Sequence, residues 1–211
     1  CVRSPQAGLP EATGDRHDAR DRERYEGRRR VVADGEAGRI PVAFRRRVQG
    51  LPGLKVGIVW SGEPRPHSPI QAAMDRRRSL TLAAFGPLSG IPGVVFVSLQ
   101  KGAPAAQART PPTGMVVHDW TDEVDDFLAT ASFASALDLV ISVDTATAHL
   151  AGALGREVWL LNRVDTDWRW MLGRADSPWY PTMRIFRQPS PGDWQSVIAD
   201  VAAALRAKVA L

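Results

Sequence analysis

Short apolar runs rich in β-branched residues alternate along the chain with segments whose apolar residues recur at helical spacing. Residues 54–60, 93–99, 115–118, 139–143, 157–161 and 183–187 read as strands. Residues 42–48, 80–88, 123–137 and 193–208, and a segment ending at Gly155, read as helices. In 123–137 the residues Phe127, Leu128, Ala131, Phe133, Ala134 and Leu137 give an apolar face. Asp193 is placed to cap the last helix. Residues 65–79 read as a long polar loop, and 103–114 as a Pro- and Ala-rich connection. Strands alternating with helices imply right-handed βαβ crossovers. The expected fold is therefore α/β, a Rossmann-like doubly wound parallel sheet. The polar turns at Ser61, Gln100, His118, Asp144 and Asn162 all follow strand C-termini. They converge on one sheet edge, where such folds hold ligands. No G-x-G-x-x-G follows the first strand, which argues against a dinucleotide dehydrogenase.

One stretch organises the rest. Leu139 to Val143 is a buried-strand pattern, and Ala148, Leu150, Ala151 and Leu154 then follow at helical spacing up to Gly155. Between them lie Asp144, Thr145, Ala146 and Thr147. Asp144 or Thr145 can cap the helix, and the small residues leave other first-turn N–H groups uncovered. A strand entering a helix N-terminus through such a turn is a ready anion site. His149 lies one turn on and reaches the same mouth. An ordinary capped β-turn-α unit with a structural histidine gives the same pattern.

Further candidates sit at the same edge. Ser61 and Gly62 put a hydroxyl and a bare backbone after the first strand, where a phosphate or sugar could approach, or they form a plain turn. Arg78 closes a basic run, Arg76 to Arg78, whose forked donors suit a diphosphate. Gln100 and Lys101 follow the second strand, near a base or in a solvated loop. Asp119 to Asp122 either hold ribose hydroxyls or cap the next helix. Residues 165–170 and 177–181 are aromatic-rich, apt for sugars or bases, or for packing an edge.

Composition narrows the classes. With 211 residues, 44% of them hydrophobic, the chain can bury one α/β core. Cys1 is the only cysteine, so neither an intramolecular disulfide nor a cysteine zinc site forms, which suits a reducing compartment and a cytoplasmic location. No apolar run reaches membrane-span length, and the polar start is not a signal peptide. No carboxylate or His cluster has metal-ligand spacing. The net charge of +4 raises a nucleic-acid-binding module as a rival reading. Eight of the 27 basic residues lie in residues 1–36, an Arg-rich arm expected to be disordered, ahead of a domain spanning 37–211. The first residue is not Met, so a fragment or processed chain is expected, and an inactive gene fragment is a further reading.

Ser142-Val143-Asp144-Thr145-Ala146-Thr147-Ala148-His149-Leu150-Ala151 resembles the S-V-D-T-x-x-x-H-L-x segment of family 9, heptosyltransferase-like glycosyltransferases. Arg77-Arg78-Ser79-Leu80 is similar to the family's N-x-R-S-L, with Arg78 at the matched position, although Gln71 to Met74 are less polar than the family. Ser98 to Gly102, Asp167 to Trp170 and Ser177 to Pro181 also match. The last two resemble the branch found at the C-terminus of bacterial tetratricopeptide-repeat proteins. The resemblance implies the C-terminal, donor-binding half of a GT-B fold. It implies a nucleoside-diphosphate sugar as donor substrate, no other cofactor and no metal. The binding residues it implies are Ser61, Gly62, Arg78, Gln100, Asp144, Thr145, Ala146 and His149. It assigns the catalytic base of these inverting enzymes to an N-terminal domain, so no catalytic residue is identified. A missing N-terminal Rossmann-like or tetratricopeptide-repeat domain is the expected partner.

Overall fold

The computed structural model describes residues 42–63, 67–124 and 126–210, with side chains from Phe44 onward. The arm at 1–36, on which the nucleic-acid reading rests, lies outside the described residues.

Six parallel strands form one sheet: β1 (Leu54–Val59), β2 (Val94–Ser98), β3 (Val117–His118), β4 (Leu139–Val143), β5 (Glu157–Asn162) and β6 (Met183–Arg187). Their order is β3-β2-β1-β4-β5-β6, so the sheet is doubly wound, as expected. β4 is central and wholly buried, with Ile141 opposite Ile58 of β1 and Trp159 of β5. Full burial of a side chain such as Ile141 stabilises by about 1.5–3 kcal/mol.

Side chains alternate between two cores. On one face Val56, Ile58, Trp60, Leu139, Ile141 and Val143 meet the last helix, α5 (Trp194–Val209), through Val197, Val201 and Leu205. On the other, Val59, Val140, Val158 and Leu160 pack under three helices. These are α1 (Val42–Gln49), α3 (Phe127–Ser135) and α4 (Ala146–Ala153). Phe44 of α1 meets Phe133 of α3 at 4.9 Å between ring centres.

Several local expectations are corrected. The loop at 65–79 contains a helix, α2 (Pro69–Arg78). Ser68 caps it by accepting from Gln71 N, and Pro69 is preset for the first turn. It buries only Asp75, so no apolar stripe announced it. Residues Leu82–Leu88 are 3₁₀ rather than α. Pro87 lacks an N–H, and Leu82, Phe85 and Leu88 are buried at the three-residue spacing of that helix. The connection after β2 also winds into a 3₁₀ segment, Ala103–Arg109. The helix expected from 123 starts at Phe127, because Asp126 accepts from Ala129 N at 2.7 Å and fixes the first turn there. Asp119 caps a tight turn instead, accepting from Thr121 N and Oγ1. Asp193 caps α5 as expected, accepting from Ser196 N at 3.0 Å.

Candidate functional site

The strand order reverses between β1 and β4, the position at which such sheets open a crevice. The turn after β4 carries Asp144 and Thr145 into α4. Thr145 is the N-cap residue, but neither its side chain nor that of Asp144 accepts a capping bond from a first-turn N–H. The Thr145 hydroxyl instead pairs with Ser142 Oγ at 3.0 Å. The carboxylate of Asp144 lies 3.7 Å from His149 Nε2. The sequence expectation of a capping Asp144 or Thr145 is therefore corrected, since each side chain has a nearer partner. The first donors into the helix ladder are Ala148 and His149, both to Thr145 O. The N–H groups of Ala146 and Thr147 precede that ladder and have no acceptor within the helix. Ala146 itself is exposed.

Two cavities meet at this helix end, of about 410 and 480 Å³. Glu63, Arg78, Thr145 and Ala146 line both. The first continues over Leu99, Val124 and Phe127. The second continues over Asp144, His149, Arg163, Asp167 and Arg169. The predicted residues are thus brought to one place, but several do different work there.

Arg78 was expected to offer its fork to a ligand. Its Nε and Nη2 both donate to Asp75 Oδ1 at 3.0 Å, and Nη1 donates to Asp144 O at 2.9 Å. It joins α2 to the turn after β4. Gly62 is bare for a related reason. A Cβ there would overlap Asp75 Oδ1 and crowd the Arg78 guanidinium, so the absent side chain makes room for the ion pair. Ser61 is buried and its hydroxyl donates to Gly62 O at 2.9 Å. Gln100 is buried too. Its Oε1 accepts from Trp60 N and Ser61 N, while Nε2 donates to Ser61 O and Lys101 O. It clamps the ends of β1 and β2 together and lines the first cavity as a wall. Lys101 is similarly tied, donating from Nζ to Thr121 O and Val124 O.

His149 is held on three sides. It stacks on Trp170 at 4.9 Å, shares a hydrogen bond with Tyr180 OH through Nδ1 at 3.0 Å, and faces Asp144. Burial pushes its imidazole below the usual range, and Asp144 opposes that shift. Arg169 adds to the lowering and Asp167 counters it. Tyr180 packs so tightly over α4 that a Cβ on Gly152 would come within 2.7 Å of its ring. Burial raises the Tyr180 phenol. Sequence reasoning omitted Asp75 and Arg163 from the site, and reached Asp167 and Arg169 only as part of the aromatic-rich stretch 165–170. The last three follow β5, and position at that strand end was the signal available for them.

Among the described residues no group of three His, Cys, Asp or Glu side chains is arranged to hold a metal. Among them, also, no helix is long and apolar enough to cross a membrane.

No protein-family model matches the chain. Over 160 residues it is 33% identical to protein FlbA of Caulobacter vibrioides, an alignment that takes in 74% of this chain and 25% of FlbA. The chain thus spans about a quarter of the curated relative it matches. Its fold is shared with solved glycosyltransferases of family 9. E. coli heptosyltransferase WaaC with ADP superposes with a TM-score of 0.56 at 15% identity, covering 84% of this chain and 48% of that one. A family 9 glycosyl transferase from Veillonella parvula gives 0.53 at 14%, covering 80% and 51%. E. coli ADP-heptose lps heptosyltransferase II gives 0.51 at 12%, covering 82% and 54%. The architecture is accordingly Rossmann-like, of the kind found in GT-B folds.

Proposed function

We propose that this domain binds a nucleoside-diphosphate sugar across the two cavities, as the C-terminal, donor-binding half of a GT-B glycosyltransferase. The observation that carries the reading is the helix end itself. The N–H groups of Ala146 and Thr147 lie ahead of the α4 ladder, with Ala146 in the wall common to both cavities and Thr147 in the wall of the first. Directional donors and the helix dipole together suit a diphosphate there. The apolar cavity along Leu99, Val124 and Phe127 suits a base, and the charged cavity suits a sugar. The neighbours covered over roughly half their length support the idea of one half of a two-domain enzyme. The D-W-R-W and S-P-W-Y-P segments support the tetratricopeptide-linked bacterial branch. In this reading the acceptor site and the catalytic base come from an N-terminal domain, and the domain by itself binds donor without turning it over.

The reading is tested by calorimetric titration of the chain with UDP-, ADP- and GDP-sugars. Saturable one-to-one binding of one nucleotide class is expected, and it names the base. Failure of all three to bind contradicts the proposal.

A further inference from the structure

The aromatic turn after β5 has an outward side that the nucleotide reading does not use. Four successive residues there alternate in role. Asp167 and Arg169 line the charged cavity, Trp170 is buried beneath His149, and Trp168 between them is 68% exposed. Trp168 meets the half-exposed Trp179 and is flanked in the chain by Asp167 and Arg169 of the charged cavity, and a paired exposed aromatic surface in that place, unlike a lone one, fits a ligand of matching shape.

The exposed ring is held rather than loose. The Arg169 guanidinium lies 4.9 Å from the Trp168 ring centre, and Trp179 meets that ring edge-on at 6.1 Å. Trp179 is half-exposed, and its Nε1 donates to Arg169 O at 3.0 Å. Asp167 Oδ1 accepts from both Arg169 N and Arg169 Nη1. At the end of the turn Met171 has φ of +48°, which favours glycine, and it is the one non-glycine residue with positive φ among those described. Arg187 secures it, donating from Nη2 to Trp170 O and Met171 O. A strained turn kept in place by a half-buried arginine holds Trp168 outward, between two residues that line the charged cavity.

We propose that Trp168, braced by Trp179, is a stacking shelf for the sugar moiety of the donor, whose hydroxyls reach Asp144, Asp167 and Arg169 in the adjoining cavity. This rests on the nucleotide-sugar reading of that cavity. A pyranose has an apolar C–H face and a hydroxyl rim. The shelf supplies an indole face for the first, and the cavity wall supplies carboxylates and a guanidinium for the second. The shelf belongs to the turn after β5 and not to the helix end that would take the diphosphate, so it discriminates a nucleotide sugar from a bare nucleotide.

The experiment compares UDP with UDP-glucose, ADP with ADP-glucose and GDP with GDP-mannose by calorimetry, on the full chain and its Trp168→Ala and Trp168→Phe variants. For the nucleotide that binds, the sugar conjugate should bind about fivefold tighter than the bare diphosphate, the change a single stacking contact supplies. Trp168→Ala should remove that increment and leave the bare nucleotide unaffected, and Trp168→Phe should restore most of it. The shelf is overturned if the parent shows no increment, if Trp168→Ala keeps it, or if that variant weakens bare nucleotide equally. A concentration-dependent dimer abolished by Trp168→Ala overturns it as well, in favour of a self-association surface. Absence of any nucleotide binding removes the nucleotide reading first, and the shelf with it.

Discussion

Arg78 forks onto a single carboxylate oxygen of Asp75, with both bonds at 3.0 Å, above the bare backbone of Gly62. Asp75 is nearly sealed from water, with a side chain 8% exposed. A buried carboxylate that loses its partner is left charged without compensation. Arg78→Ala should therefore destabilise the fold by about 1.5–3 kcal/mol, the range for a hydrogen bond to a charged group. The double variant Asp75→Asn, Arg78→Ala should recover part of that loss. Urea denaturation measures both, and equal stability of Arg78→Ala and the parent would show that the pair is not structural.

Gln100 gives a second separation of structure from binding. Gln100→Leu keeps the volume but leaves the N–H groups of Trp60 and Ser61 without their acceptor. Each buried donor left without a partner costs about 1–3 kcal/mol. A lowered denaturation midpoint is expected, with nucleotide affinity retained below it. Lost affinity at full stability would instead return Gln100 to the ligand.

His149 sets a pH dependence of definite sign. Its folded pKa lies below the ordinary 6.5 because burial disfavours the imidazolium. Below 6.5 the unfolded chain takes up a proton that the folded chain resists. The contribution is fully present above 6.5 and is lost as pH falls through the folded value. Thermal melts from pH 7.5 downward should fall more steeply for the parent than for His149→Gln. Parallel curves would mean that His149 titrates alike in both states.

The strands were legible because most carry a short, largely apolar run, as a doubly covered parallel sheet demands, although Lys55 interrupts β1 and Arg184 interrupts β6. Leu139 to Val143 is the clearest case, buried at every position. α2 was illegible for the opposite reason, since it is solvated on almost every side. That omission had a consequence at the site. Asp75 and Arg78 stand three apart, a helical pair, but within a supposed loop the spacing carried no meaning. The polar residues after β1 and β2 were correctly placed at the crevice. Whether a polar group there faces a ligand or ties two strand ends together depends on its neighbour across the sheet. Gln100 reaches back to Trp60, forty positions away, and no local pattern encodes that.

The central claim is that a diphosphate sits on the N-terminus of α4, and Ala146 tests it most directly. The residue is exposed at the first helical position and lines both cavities. Leu is a good helix former, so Ala146→Leu should leave the melting transition within about 0.5 kcal/mol of the parent, as for other surface changes. The added isobutyl group would occupy the phosphate seat. Calorimetric titration of parent and variant with ADP, UDP and GDP is the measurement. The account predicts that the parent binds one of them and that Ala146→Leu binds it at least about tenfold more weakly, a loss of some 1.4 kcal/mol. Equal affinity in a folded Ala146→Leu would contradict it, because a phosphate cannot share that space with the new side chain.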